Sequence, residues 1–194
     1  MSNLFKTVEY EAFRAGITPR TQESRAWFRK KVQNMRGLNR RALMQEDPIT
    51  KTSDSIAGSM YMFFYDPKTR ETLPYYDSFP LVIVVGPAER GFYGMNLHYL
   101  PIELRAKFLD SLMDITNNKK YDESTRFNVT YNQLQRASKM KYFKPCFKHY
   151  LTSQVEGKFA YVPPPEWEIA TFLPVAQWNK GSQSQVYKDS RSMI

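Results

Sequence analysis

Apolar and polar positions fall into their sharpest pattern between Ser59 and Pro101, in the string SMYMFFYDPKTRETLPYYDSFPLVIVVGPAERGFYGMNLHYLP. Met60 to Tyr65 is an unbroken apolar run of strand length. It ends at Asp66-Pro67, where a turn-forming carboxylate meets a ring that cannot donate to a ladder. Leu81 to Val85 is a β-branched run bounded by Pro80 and Gly86-Pro87, and it predicts a second strand buried on both faces. After the polar turn Ala88 to Gly91, the segment Phe92 to Tyr99 predicts a third strand, and Leu100-Pro101 leads into a helix beginning near Ile102. A long charged connection followed by a tight turn fits a small barrel, and it fits a plain meander equally well.

Helical spacing dominates elsewhere. IELRAKFLDSLMDI sets Leu104, Phe108, Leu112 and Ile115 on one stripe, closed by Asn117 to Lys120. Upstream, Thr18-Pro19 supplies a cap residue and a proline at the first helical position, and predicts a helix from Pro19 to Arg36 with Gly37 near its end. Trp27, Phe28, Val32, Met35 and Leu38 recur along it and form a candidate face for docking a partner. Downstream, Thr130 caps a predicted helix from Tyr131 to Met140. Pro145 opens another that runs past Tyr150 and continues through Leu151, Val155 and Phe159 at every fourth position. Pro163-Pro164-Pro165 is a stiff spacer before EWEIATFL, a short helix stopped by Pro174. EDPITKTSDSIAG reads as a linker, and QWNKGSQSQVYKDSRSMI has the composition of a flexible tail. The expected organisation is a basic helical arm and linker over 1–52, a core domain over 53–178 and a tail over 179–194. The fold class is α+β: a small, aromatic-rich antiparallel β unit with flanking helices and extended terminal arms.

The 194 residues are enough for one main domain with a core of its own. No run approaches the length of a membrane helix, and the N-terminus lacks the apolar core of a signal peptide, so neither a membrane nor secretion by that route is expected. A single cysteine, Cys146, excludes an internal disulfide and fits folding in a reducing cytosol. The net charge of +9 is unevenly spread. Between Arg20 and Arg41 there are eight cations (Arg20, Arg25, Arg29, Lys30, Lys31, Arg36, Arg40, Arg41) against one acid, Glu23. Arg136, Lys139, Lys141, Lys144 and Lys148 form a second group with no acid among them, interleaved with Tyr142, Phe143, Phe147 and Tyr150. Cations follow a nucleic-acid backbone while rings stack on bases, so both groups are candidate sites for an anionic partner. Rings in a core with cations at its rim give the same pattern.

Catalytic readings find little footing. Two histidines, His98 and His149, cannot build a multi-imidazole metal centre. Cys146 and His149 supply two ligands where a zinc site needs more, and no phosphate-binding glycine loop is present. Glu156-Gly157-Lys158 matches half of a metal-dependent nuclease site, for which Asp77 is the available upstream carboxylate. The expectation is a protein that is not an enzyme and needs no cofactor or metal.

The strings FYDPKTRETLPYYDSFPLVIVV, GFYGMNLHYLP, RFNVTYNQLQ and ATFLP resemble those of a virion or assembly protein family carried by T-even-like tailed phages with contractile tails. The resemblance spans Met60 to Arg191 and implies a phage gene product, made in the host cytoplasm and destined for the virion. It carries over no catalytic residues. Two functions follow. The first is a connector in the tail, baseplate or neck, part of a multi-chain assembly with other phage structural proteins. The alternative is a DNA-binding protein at genome ends or in head completion.

Overall fold

The structure, a computed structural model, describes residues 3–193, and within them all side chains but those of Thr116, Glu123 and Phe127. Three helices come first: α1 (Leu4–Arg14), α2 (Gln22–Val32) and α3 (Arg40–Leu43). Asn3 caps α1, and the Glu46 carboxylate accepts the free N–H groups of Leu4 and Phe5 at 2.8 and 3.1 Å. Phe5, Val8 and Ala12 form its buried stripe. The helix expected over Pro19 to Arg36 is the shorter α2. Arg20 takes a left-handed backbone (φ 62°), so the chain turns before Thr21 and Ser24 cap each other to start the helix.

The strands are β1 (Thr50–Thr52), β2 (Met60–Tyr65), β3 (Tyr76–Asp77), β4 (Leu81–Ala88) and β5 (Gly91–Asn96). A 3-10 turn over Leu97–Tyr99 leads to α4 (Ile102–Thr116) and α5 (Glu123–Lys139). A 3-10 segment, Lys141–Cys146, precedes β6 (Phe147–Leu151), and β7 (Val155–Val162), α6 (Trp167–Ala170), β8 (Trp178–Asn179) and α7 (Gln183–Ser192) complete the order. One antiparallel sheet runs β1-β7-β2-β4-β5-β6, while β3 and β8 pair separately.

Alternation along the strands sorts side chains to two cores. Met60, Met62, Leu81, Ile83 and Met95 face the helices, joined by Phe28, Val32, Leu112 and Trp167. Tyr61, Phe63, Tyr65, Phe92, Tyr150 and Phe159 face the other way and pack on one another. Phe63 is the hub, with ring centroids 6.0 Å from Phe92, 5.4 Å from Tyr150 and 5.1 Å from Phe159. Those rings come from β2, β5, β6 and β7, so the sheet curls strongly around them. The Leu151 N–H, on β6, reaches the Tyr65 hydroxyl of β2 at 3.2 Å across the curl. The sheet nevertheless stays open, because no ladder among the described residues joins β6 to β1 or β7. The α+β class with an aromatic antiparallel unit therefore holds, and the unit is a curled open sheet instead of a closed barrel.

Four local expectations differ. The helix expected from Pro145 is β6, and its continuation through Val155 and Phe159 is β7. A spacing of four is also a multiple of two, so both residues share a strand face as readily as a helix stripe. The helix expected at Tyr131 begins earlier, where the Asp122 carboxylate accepts the Thr125 N–H at 2.7 Å. The expected tail is α7, docked by buried Val186 and by the Ser190 hydroxyl, which donates to the Tyr99 carbonyl at 2.9 Å. Buried Arg105 adds a bond to the Tyr187 hydroxyl at 3.0 Å.

Candidate nucleic-acid interface

The residues proposed for docking a partner lie against this chain's own core. Phe28 and Val32 are buried in it, and Trp27, Met35 and Leu38 pack on its margin. The arm's cations are partly committed as well. Arg25 is buried and pairs with Asp110, with Glu168 at 4.0 Å. Glu168 accepts the Ser24 hydroxyl at 2.6 Å and the Arg20 N–H at 3.1 Å. Lys31 pairs with Glu11 at 2.7 Å, and Arg40 donates to the carbonyls of Val175 and Ala176 at 2.8 and 3.1 Å. Arg41 lies over the Phe64 ring at 5.2 Å, Lys30 and Arg36 are exposed, and Arg29 is half-buried.

The second group is freer. Arg136 and Lys139 occupy the last turn of α5, Lys141 and Lys144 follow on the 3-10 segment, and all four are exposed without an ion pair among the described residues. Tyr142 stands 54% exposed among them and Tyr93 40%. Tyr93 stacks on Phe147 at 5.3 Å and meets the His149 ring at the same distance. The strip thus passes from a helix end onto β6, the edge strand of the sheet.

Lys148 points to the other side of β6. Its Nζ lies 4.0 Å from the Tyr99 ring centroid, at a cleft of about 420 Å³ lined by Tyr65, Tyr75, Tyr76, Tyr99 and Tyr150. Burial lowers the Lys148 pKa and raises those of Tyr99 and Tyr150. Asp77 lies at the base of this cleft. Its carboxylate accepts from the Phe79 N–H (3.0 Å), the Gln177 N–H (2.9 Å), Asn96 Nδ2 (3.2 Å) and His98 Nδ1 (2.6 Å). Burial keeps His98 below its ordinary pKa and therefore neutral. Burial alone pushes Asp77 up, but His98 and the two backbone donors outweigh it and hold the carboxylate ionised. Nothing local in the sequence points to this pairing, since the two residues stand 21 positions apart on different elements. The density of tyrosines between Tyr61 and Tyr99 was the one available signal for the cleft.

The residues weighed for catalysis are dispersed. Cys146 is buried, donates to the Phe143 carbonyl at 2.9 Å, and is pushed by burial up to about 12. His149 faces the Glu89 carbonyl at 2.9 Å. Glu156 and Lys158 are exposed on β7, while Asp77 belongs to β3, outside that sheet, with its oxygens already occupied. No cluster of three or more acidic, His or Cys side chains among the described residues is placed to hold a metal ion. No helix among them is long and apolar enough to cross a membrane.

No curated protein and no solved structure matches the chain. A family model does, over residues 4–192, nearly the whole length and including the N-terminal arm that the string resemblance left out. That match agrees with the T-even-like phage resemblance, and the chain belongs to the family described as phage T4 terminal DNA protecting protein.

Proposed function

We propose that this chain binds the ends of phage DNA and shields them, acting on the genome as heads are completed and remaining with it in the virion. The observation that carries the reading is the match of residues 4–192 to a family named for protecting terminal DNA. It favours the DNA-binding alternative over the tail or baseplate connector that the sequence placed first. Arg136, Lys139, Lys141 and Lys144, without an ion pair among the described residues and set beside exposed Tyr142 and Tyr93, support it with the charge and stacking faces that DNA requires. Shielding requires occupancy only, so the proposal is of a binding protein and not of an enzyme.

The test is digestion of linear duplex by a processive exonuclease with and without the full-length protein, together with affinity across a salt series. Protection is expected, with a variant carrying Ala at the four cations losing it. The slope of log affinity against log salt should fall by about 0.9 for each phosphate contact removed. Equal digestion with and without protein, at concentrations that saturate binding, overturns the proposal.

A further inference from the structure

We infer that the tyrosine cleft beside Lys148 is a pocket for the unstacked terminal nucleotide of a DNA strand. This rests on the DNA-end reading and says how an end is told from the interior of a duplex.

Size and lining come first. A cleft of about 420 Å³ is in the range of small-ligand sites, with room for a nucleotide but not a duplex. Five tyrosines line it, and the half-buried Tyr75 and Tyr76 are the rings open to stack on any base and so select without reading sequence. The rings are fixed before any ligand arrives. Tyr99 meets Trp178 edge-on at 4.8 Å, Tyr75 meets the same indole at 6.0 Å, and α7 holds the Tyr99 backbone through Ser190. Such preorganisation lowers the ordering cost of binding.

Charge sets the orientation. Lys148 is half-buried and has no carboxylate within ion-pair distance among the described residues; its partner is the Tyr99 ring. A partly desolvated amine without a counter-ion is costly, and a phosphate at the mouth would supply one. Lys68 lines the same cleft. The ionised Asp77 at the base repels a phosphate, so the base enters first and the phosphate stays beside Lys148.

Position completes the argument. β6 carries Lys148 and Tyr150 toward the cleft, with Phe147 and His149 toward the exposed Tyr93 side, where the strip of free cations continues. The strip and the cleft lie on the two faces of β6, the edge strand, so a strand leaving a duplex on the strip reaches the cleft by crossing that edge. Filling the cleft takes a base out of its stack. An internal base loses its pair and two neighbours, a blunt-end base its pair and one neighbour, and an overhanging base has no pair to lose. Occupancy therefore ranks overhang above blunt end above interior.

The experiment uses full-length protein and short duplexes carrying the fluorescent base 2-aminopurine at a terminal or an internal position. A second set of duplexes is open or closed by hairpin loops at both ends. The expected result is a fluorescence change for the terminal probe only, and about ten-fold or greater preference for open over closed ends. Tyr75→Ala and Lys148→Met should each bring that ratio toward one. Lys148→Met keeps the side-chain stem over Tyr99 and remains informative where Tyr75→Ala unfolds. If both variants retain the wild-type preference and the terminal signal, the cleft is not the site, while the DNA-end reading stands. If wild-type protein binds open and closed duplexes equally, the DNA-end reading fails and the cleft assignment with it.

Discussion

Asp77 Oδ2 lies 2.6 Å from His98 Nδ1, with both side chains buried, and this contact ties β3 to the 3-10 turn that follows β5. The same carboxylate takes the Gln177 N–H beside β8, so one side chain that itself lines the tyrosine cleft holds three segments together. Asp77→Ala would leave three buried donors and the part-buried Gln177 N–H without their acceptor. Leaving a buried donor without its acceptor costs about 1–3 kcal/mol. The urea midpoint of the variant should fall accordingly, and a midpoint within error of wild type would show that the carboxylate does not organise this region.

The parts of the fold legible in the sequence were those with strong local signals. β2 matches its predicted bounds because Asp66-Pro67 ends it, and α4 begins at Ile102 because Pro101 forces the preceding turn. β6 and β7 differ from the expected helix because Leu151, Val155 and Phe159, spread over the two strands, satisfy both periods, and nothing local decides between them. Their strand state is settled by long-range pairing, Tyr93 to His149 and Met60 to Val162. Charge was legible as an amount and not as a place. Arg25 and Arg136 look alike in sequence, yet Arg25 is buried against Asp110 and Arg136 is exposed. The cleft was beyond sequence reasoning altogether, since Tyr65, Tyr99 and Tyr150 meet only once the sheet has curled.

Gly91 opens β5 opposite Leu151 of β6, and a Cβ placed there would stand 1.8 Å from the Tyr150 carbonyl oxygen. Backbone of the edge strand would have to move. Gly91→Ala should destabilise the protein by about 1–3 kcal/mol or more. Because β6 carries both Lys148 and Tyr150, preference for open DNA ends should fall as well. Urea unfolding and the ratio of open to closed duplex affinity measure the two effects. A fully stable variant would rule out the pairing of β5 with β6 in this register.

Glu166 is 6% exposed, and burial, with the charges of Glu9 and Glu46 added, raises its pKa from an ordinary 4.5 to about 7. Across that window the folded chain holds a proton that the unfolded chain has released, so stability falls as pH rises from about 4.5 and the loss is complete above about 7. Screening by nearby solvent limits the effect to about 1–2 kcal/mol. His98 acts in the opposite sense. Its folded pKa lies below the ordinary 6.5, so its contribution is fully present above that pH and is lost on acidification. The wild-type profile alone therefore mixes the two, and Glu166→Gln separates them. The stability of the variant relative to wild type should grow by about 1–2 kcal/mol between pH 4.5 and 8 in urea unfolding. Parallel profiles for the two proteins would mean that Glu166 ionises at its ordinary pH and that the carboxyl cluster with Glu9 and Glu46 is not formed.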